Sequence, residues 1–280
     1  MKGRLMRRVT YFLILLSLTS PAAAADLDFD FLRGSETVGP GTYTRWSGFY
    51  VGGQIGYTNG NADFSQSTQS GVSYVLRQTD LEAEFAPSTW QVLGTANNSV
   101  VSFGGFIGYN TQWEDAIFGV EANITQAGLN LHAQSTPIGP LITAPDSQGN
   151  THTVTMSGTG SITNLDFATL RFRAGYVVGN FMPYLFVGPA FGLGNIAVGV
   201  TGQDIQCSSA SPPVCGRFPF TSTYGLNSAV LYGFTVGGGV DVALTQNVFL
   251  RADIEYDNFD PPPGIPLSLI TGRVGAGLKF

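Results

Sequence analysis

His132 and His152 are the two histidines of this 280-residue chain, and both fall in one polar segment, residues 130–163, rich in Ser and Thr. A histidine beside a hydroxyl, oriented by a carboxylate such as Asp146, is the arrangement that activates a serine nucleophile. The alternative is a polar surface loop whose histidines do no chemistry. Asp253 and Glu255 make a second pair, next to Arg251. On a strand this spacing puts both carboxylates on one face, about 6.6–7 Å apart, as an acid–base pair would require. Salt bridging to the arginine is the simpler reading. The runs Gly52-Gly53 and Gly237–Gly239 are not phosphate loops, because more strand pattern follows each of them, not a helix. Cys207 and Cys215 lie close together in a Ser/Pro-rich stretch with no histidine near. In an exported chain they fit a disulfide closing a loop better than a metal site. The residues point to no metal and no cofactor.

The elements that would hold these residues are strands. Residues 270–280 alternate strictly, with Ile270, Gly272, Val274, Ala276, Leu278 and Phe280 on one face and Thr271, Arg273, Gly275, Gly277 and Lys279 on the other. Eight such segments are expected: 46–60, 101–111, 116–129, 164–178, 183–200, 229–243, 248–256 and 270–280. Pro189 predicts a bulge in the fifth. Short connections (112–115, 179–182, 245–247) alternate with long ones (61–100, 130–163, 201–228, 257–269). That alternation predicts an all-β, antiparallel up-and-down transmembrane barrel with short periplasmic turns and four long extracellular loops. A soluble eight-stranded barrel also alternates faces. Aromatics near the expected strand ends (Trp46, Tyr109, Trp113, Phe181, Tyr256) favour the membrane, where they would form interfacial girdles.

Eight strands enclose a space that side chains can fill. The polar faces carry Glu121, Arg171, Arg173, Asp241, Arg251, Asp253, Glu255, Arg273 and Lys279, nearly balanced in sign. They are expected to form a lumenal salt-bridge network, with Arg273 reaching Asp253 or Glu255 and Asp241 reaching Arg251, because an unpaired charge there costs several kcal/mol. Asp166 falls on the apolar face and is expected above the hydrocarbon.

The basic start (Lys2, Arg4, Arg7, Arg8), the short apolar run 9–18 and Pro21-Ala-Ala-Ala-Ala25 predict a signal peptide over 1–25. An irregular lead-in, 26–45, and the barrel, 46–280, follow. Cleavage would deepen the net charge from −6 to −10. So acidic a chain argues against nucleic acid as a partner.

Several stretches resemble a known family: Trp46-Ser-Gly-Phe-Tyr-Val-Gly-Gly, Gly104-Gly-Phe-Ile-Gly-Tyr-Asn110, Phe118-Gly-Val-Glu-Ala122, Leu170-Arg-Phe-Arg-Ala-Gly-Tyr176, Pro183-Tyr-Leu-Phe-Val-Gly188 and Arg273-Val-Gly-Ala-Gly-Leu-Lys-Phe280. They are similar to the small outer-membrane barrels of alpha-proteobacteria, related to OmpA-like and opacity-type surface barrels. The resemblance implies a non-catalytic outer-membrane surface protein in contact with outer-membrane lipid. It also implies that Phe280 is a signal for the barrel assembly machinery. The long loops match no transferable pattern and would carry any extracellular ligand or host-surface contact. A membrane enzyme acting through 130–163, or a narrow solute pore, are the competing functions.

Overall fold

The computed structural model describes residues 45–280; the expected signal peptide and nearly all of the lead-in lie outside the described residues. Nine strands are present among the described residues: β1 (Gly48–Asp63), β2 (Thr95–Trp113), β3 (Ala116–Ala133), β4 (Ile138–Ile142), β5 (Thr151–Tyr176), β6 (Phe181–Cys207), β7 (Cys215–Ala243), β8 (Val248–Phe259) and β9 (Leu267–Lys279). Every pairing is antiparallel. Eight strands close a ring in the order β3-β2-β1-β9-β8-β7-β6-β5, sealed by β5 pairing with β3. The short β4 pairs only with β5 and adds to the sheet outside the ring. Closure pairs β9 with β1 and so removes the open edge that a terminal strand would otherwise present.

Outward positions along the ring are apolar and exposed, among them Phe49, Val51, Ile55, Phe103, Phe118, Phe172, Leu185, Phe234, Ile254 and Val274. A closed barrel with an apolar outer band satisfies every backbone group internally, as a lipid environment demands. On β1 and β2 that band ends at an exposed polar ladder. There the Asn59 amide donates to Ser99 Oγ (2.7 Å), and the Asn61 amide donates to Asn97 Oδ1 (2.6 Å).

Three strands run far beyond the length a membrane needs. β5, β6 and β7 have 26, 27 and 29 residues, against about 9–11 for a tilted membrane strand. The expected loop 201–228 is therefore mostly strand, and its connection shrinks to 208–214. Between β8 and β9 only 260–266 remain. The long connections are 64–94 and 134–150. The former holds helices α1 (Gln69–Leu76) and α2 (Asp80–Phe85).

Bulges explain where the alternation in the sequence breaks off. In β5, Thr169, Phe167 and Leu165 face inward, but beyond the irregularity between Thr163 and Asp166 the inward set becomes Ile162, Gly160, Gly158 and Met156. Asn164 takes a positive φ of 53° there, and its N–H donates to Asn130 Oδ1. The register of β6 with β7 slips between Gly194 and Ile196, and Ser228, also at φ 53°, donates its N–H to Asn195 Oδ1. Each bulge inserts a residue and inverts the faces beyond it. Asp166 pins a third irregularity: its Oδ1 accepts from the Ala127 and Gly128 N–H groups of β3, both at 2.9 Å. No bulge occurs at Pro189, whose strand keeps its register with β7. The neighbouring Gly188 instead approaches β5 so closely that a Cβ would lie 1.8 Å from the Leu170 carbonyl oxygen.

Candidate functional site

The lumen is built in layers from the short-turn end, which outer-membrane barrels place in the periplasm. Its floor is aromatic: Trp46, Tyr50, Phe106, Tyr184, Phe186 and Phe249 are all buried. Trp46 thus packs inside, 5.9 Å from Phe249 between ring centroids, and takes no part in the lipid-facing girdle expected for it. Trp113, Phe181, Tyr109 and Tyr256 do face outward.

Above the floor sit the charges. The strand period aims Glu121, Arg171, Arg173, Asp241, Arg251, Asp253, Glu255 and Arg273 inward, and all are buried. Glu121 is the hub. Its Oε1 accepts from Arg171 Nη1 (3.1 Å), and its Oε2 accepts from Arg173 Nη1 (3.0 Å), Arg251 Nη1 (2.7 Å) and Tyr50 OH (2.9 Å). Asp241 takes a forked pair from Arg251, Nε to Oδ1 at 2.8 Å and Nη2 to Oδ2 at 3.0 Å. It also accepts from Arg173 Nη2 at 2.8 Å. Glu255 accepts from Arg171 Nη2 (2.8 Å), from Arg273 Nη2 and from Thr235 Oγ1 (2.8 Å). Asp253 lies 3.4 Å from Arg273 Nη1 and 3.8 Å from Arg171 Nη1.

Some of these pairs join adjacent strands: Arg251 with Asp241, and Arg273 with Asp253 and Glu255. Others cross the lumen: Arg251 of β8 reaches Glu121 of β3, and Arg171 of β5 reaches Glu255 of β8. Four arginines face four carboxylates, so the cluster is neutral as a whole. The guanidinium planes also rest on the floor: Arg173 lies 3.8 Å from the Tyr184 ring, Arg251 4.0 Å from Phe106 and Arg171 4.4 Å from Phe186.

Lys279 does not join them. Its Nζ donates to the Arg45 carbonyl and sits 4.5 Å over the Trp46 ring, at the periplasmic end. Tyr50, Thr169, Tyr184 and Thr235 complete the network and were not singled out in the sequence, although Tyr50 stands on the polar face of its strand. Asp257, one step beyond Glu255 on the same face, is buried without a hydrogen-bond partner for either oxygen.

Further along, the lumen turns neutral and then apolar. Thr58 Oγ1 lies 3.0 Å from Ser102 Oγ and 3.1 Å from Thr271 Oγ1, and the Gln54 amide donates to Asn123 Oδ1 at 2.9 Å. Beyond them Phe64, Leu93, Leu129, Leu131, Ile162, Leu165, Phe167, Leu231, Phe259 and Ile265 form an apolar plug. The signal for it was present: Ala127, Leu129 and Leu131 continue the inward parity of Glu121, Asn123 and Thr125. A final apolar layer joins α1 and α2 to the extended strands through Val72, Leu76, Leu81, Val154, Met156, Val200 and Phe220.

The structure separates the two histidines. His132 is exposed and outward-facing on β3, whereas His152 is buried on the inner face of β5. Its Nδ1 lies 2.7 Å from Asp204 Oδ2 and its Nε2 lies 3.4 Å from Asp146 Oδ2. Asp146 also accepts the Gln148 N–H (2.9 Å), the Asn150 N–H (2.7 Å) and the Asn150 amide (3.2 Å), which closes a tight turn. Desolvation pushes its pKa up, but the hydrogen bonds from Asn150, His152 and Gln148 outweigh it and leave the carboxyl below its ordinary range. A depressed carboxyl stabilises the fold above its unfolded pKa, and that stabilisation is lost as pH falls through the folded value. The turn should therefore loosen only in acid, below the ordinary carboxylate range. Backbone amide NMR shifts of Gln148 and Asn150 should report this, and Asp146→Asn should abolish the pH dependence. A transition centred near neutral pH would contradict it.

A disulfide joins Cys207 to Cys215, clamping the ends of β6 and β7 across the connection 208–214. A loop this short contributes about 2–3 kcal/mol at most in the chain-entropy model. The double variant Cys207→Ser/Cys215→Ser should keep its heat-modifiable gel mobility while protease cuts 208–214 faster. Unchanged cleavage would show that the strands alone hold the tip.

Residues 11–280 match the family model of the outer membrane protein beta-barrel domain. The chain belongs to this family. An outer-membrane location follows for it, in agreement with the closed ring and its apolar band. Among solved structures, the Neisserial surface protein A is 16% identical with a TM-score of 0.35, covering 84% of this chain and 98% of its own. The attachment invasion locus protein Ail of Yersinia pestis is 12% identical at 0.34, covering 84% and 99%. OprG of Pseudomonas aeruginosa is 10% identical at 0.35, covering 84% and 96%. Likenesses this distant carry no functional argument. Among curated proteins, none matches this chain.

Proposed function

We propose that this outer-membrane barrel is a closed, non-catalytic surface protein whose extracellular part serves recognition. One observation supports this reading above the others: the lumen is filled in succession by an aromatic floor, a neutral ion-pair cluster and an apolar plug. A hydrated path would have to cross two apolar layers and break buried ion pairs, each costing several kcal/mol. The opacity-type surface barrels of alpha-proteobacteria, which the strand motifs resemble, are the branch in which we place the chain. Outer-membrane lipid, the barrel assembly machinery and an extracellular or host surface are its partners in this reading.

The geometry disfavours an enzyme acting through 130–163. His132 and His152 lie on opposite faces, and the ring nitrogens of His152 face the carboxylates of Asp204 (2.7 Å) and Asp146 (3.4 Å) where a nucleophilic site would place a hydroxyl. The test is swelling of liposomes loaded with the purified protein in isosmotic arabinose. Swelling no faster than protein-free liposomes is expected; rapid swelling would replace this reading with a pore.

A further inference from the structure

A cleft of about 390 Å³ opens at the extracellular mouth, lined by Gln66, Gln69, Ser70, Ser73, Ser88 and the Pro263-Gly264 turn. Its size lies within the ~300–1,000 Å³ of small-molecule sites. Gln66, Gln69, Ser70 and Ser73 follow the i, i+3, i+4, i+7 spacing of one helical face, carried by α1 and the residue three before it. The opposite face of α1 is fixed, because Val72 and Leu76 pack into the apolar layer beneath. The facing wall is anchored too: Ile265, next to Gly264, is fully buried in the plug.

The side chains of Gln66, Gln69, Ser70 and Ser73 make no hydrogen bond to other described residues, so their donors and acceptors are open to the cleft. Ser88, buried, donates its Oγ hydrogen to Glu82 and so presents acceptor lone pairs. None of the described residues lining the cleft is charged. Amides and hydroxyls that both donate and accept, beside one proline ring, match a ligand that alternates hydroxyls with a small C–H face. An anionic ligand would find no countercharge among these residues, and the Pro263-Gly264 turn offers a small apolar surface beside the polar groups.

We propose that this cleft binds a neutral saccharide. The inference deepens the recognition role given above and rests on it. The chemistry is shared by two sources, host glycans and the neutral sugars of the bacterium's own lipopolysaccharide.

Saturation-transfer NMR on the full barrel, in a detergent without a sugar headgroup, tests it. N-acetyllactosamine represents the host source and delipidated neutral O-polysaccharide the bacterial one; heparin is the charged control. At least one neutral probe should receive saturation and shift the side-chain amide signals of Gln66 and Gln69. Gln69→Ala/Ser73→Ala and, separately, Ser70→Phe should weaken binding at least tenfold while keeping heat-modifiable mobility. The pattern across the two neutral probes identifies the source. No transfer to either, binding unaltered in both variants, or binding of heparin alone would overturn the proposal. Liposomes that do not swell, together with a silent cleft, would sink the saccharide site and leave the closed-barrel reading standing.

Discussion

Glu121→Ala is expected to destabilise the barrel more than any other single lumen substitution. Among the described residues, Glu121 is the one carboxylate that touches Arg171, Arg173 and Arg251 together. Its removal leaves four buried arginines facing three ion-paired carboxylates and strips Tyr50 OH of its acceptor. Removing one partner of a buried ion pair costs about 3–5 kcal/mol. Glu121→Gln, which keeps the volume and one acceptor, should cost less. The effect belongs to the imbalance and not to the ion pairs as such: replacing a whole buried cluster by packed apolar side chains can be neutral. Urea unfolding in lipid vesicles measures the difference. A Glu121→Ala variant within 1 kcal/mol of wild type, on the order of the value of an exposed pair, would mean that the cluster is solvated.

Deleting Phe280 is expected to act on assembly far more than on stability. Its ring is 77% exposed on the outer face, and its N–H donates to the Phe49 carbonyl at 2.8 Å, extending the β9–β1 pairing to the last residue. Burying such a ring in the interface contributes about 1.5–3 kcal/mol. That is too little to keep the protein from reaching the membrane. If Phe280 is read by the assembly machinery, the truncated chain should accumulate in the periplasm or be degraded, although the purified chain refolds in detergent. Wild-type outer-membrane levels of the truncated chain would remove that role from Phe280.

The ring of eight strands was legible because each strand's apolar and polar faces alternate against lipid and lumen. Most of the charged cluster was legible for the same reason: Arg171 and Arg173, or Asp253 and Glu255, sit two residues apart on one face. The strand ends were not. The expected starts at 164 and 229 fall on or beside Asn164 and Ser228, where the bulges invert the faces and a single period breaks down. Beyond them the outward positions Thr153, Thr155, Ser157 and Thr159 face water, so polarity there suggested a loop although the backbone is strand. Lys279 has the inward parity of Arg273, but parity gives a face and not a depth, and Lys279 lies three alternations nearer the periplasm. Residue type alone places Trp46 at the lipid interface, while the chain entering β1 folds it under the lumen.

Planar-bilayer recording of the purified wild-type protein tests the closed lumen most directly. The ion-pair cluster between two apolar layers predicts a silent baseline, without steady single-channel steps at any moderate voltage. Large, steady, reproducible conductance from the same preparation would contradict it and show that a continuous aqueous path runs past Glu121 and the apolar plug.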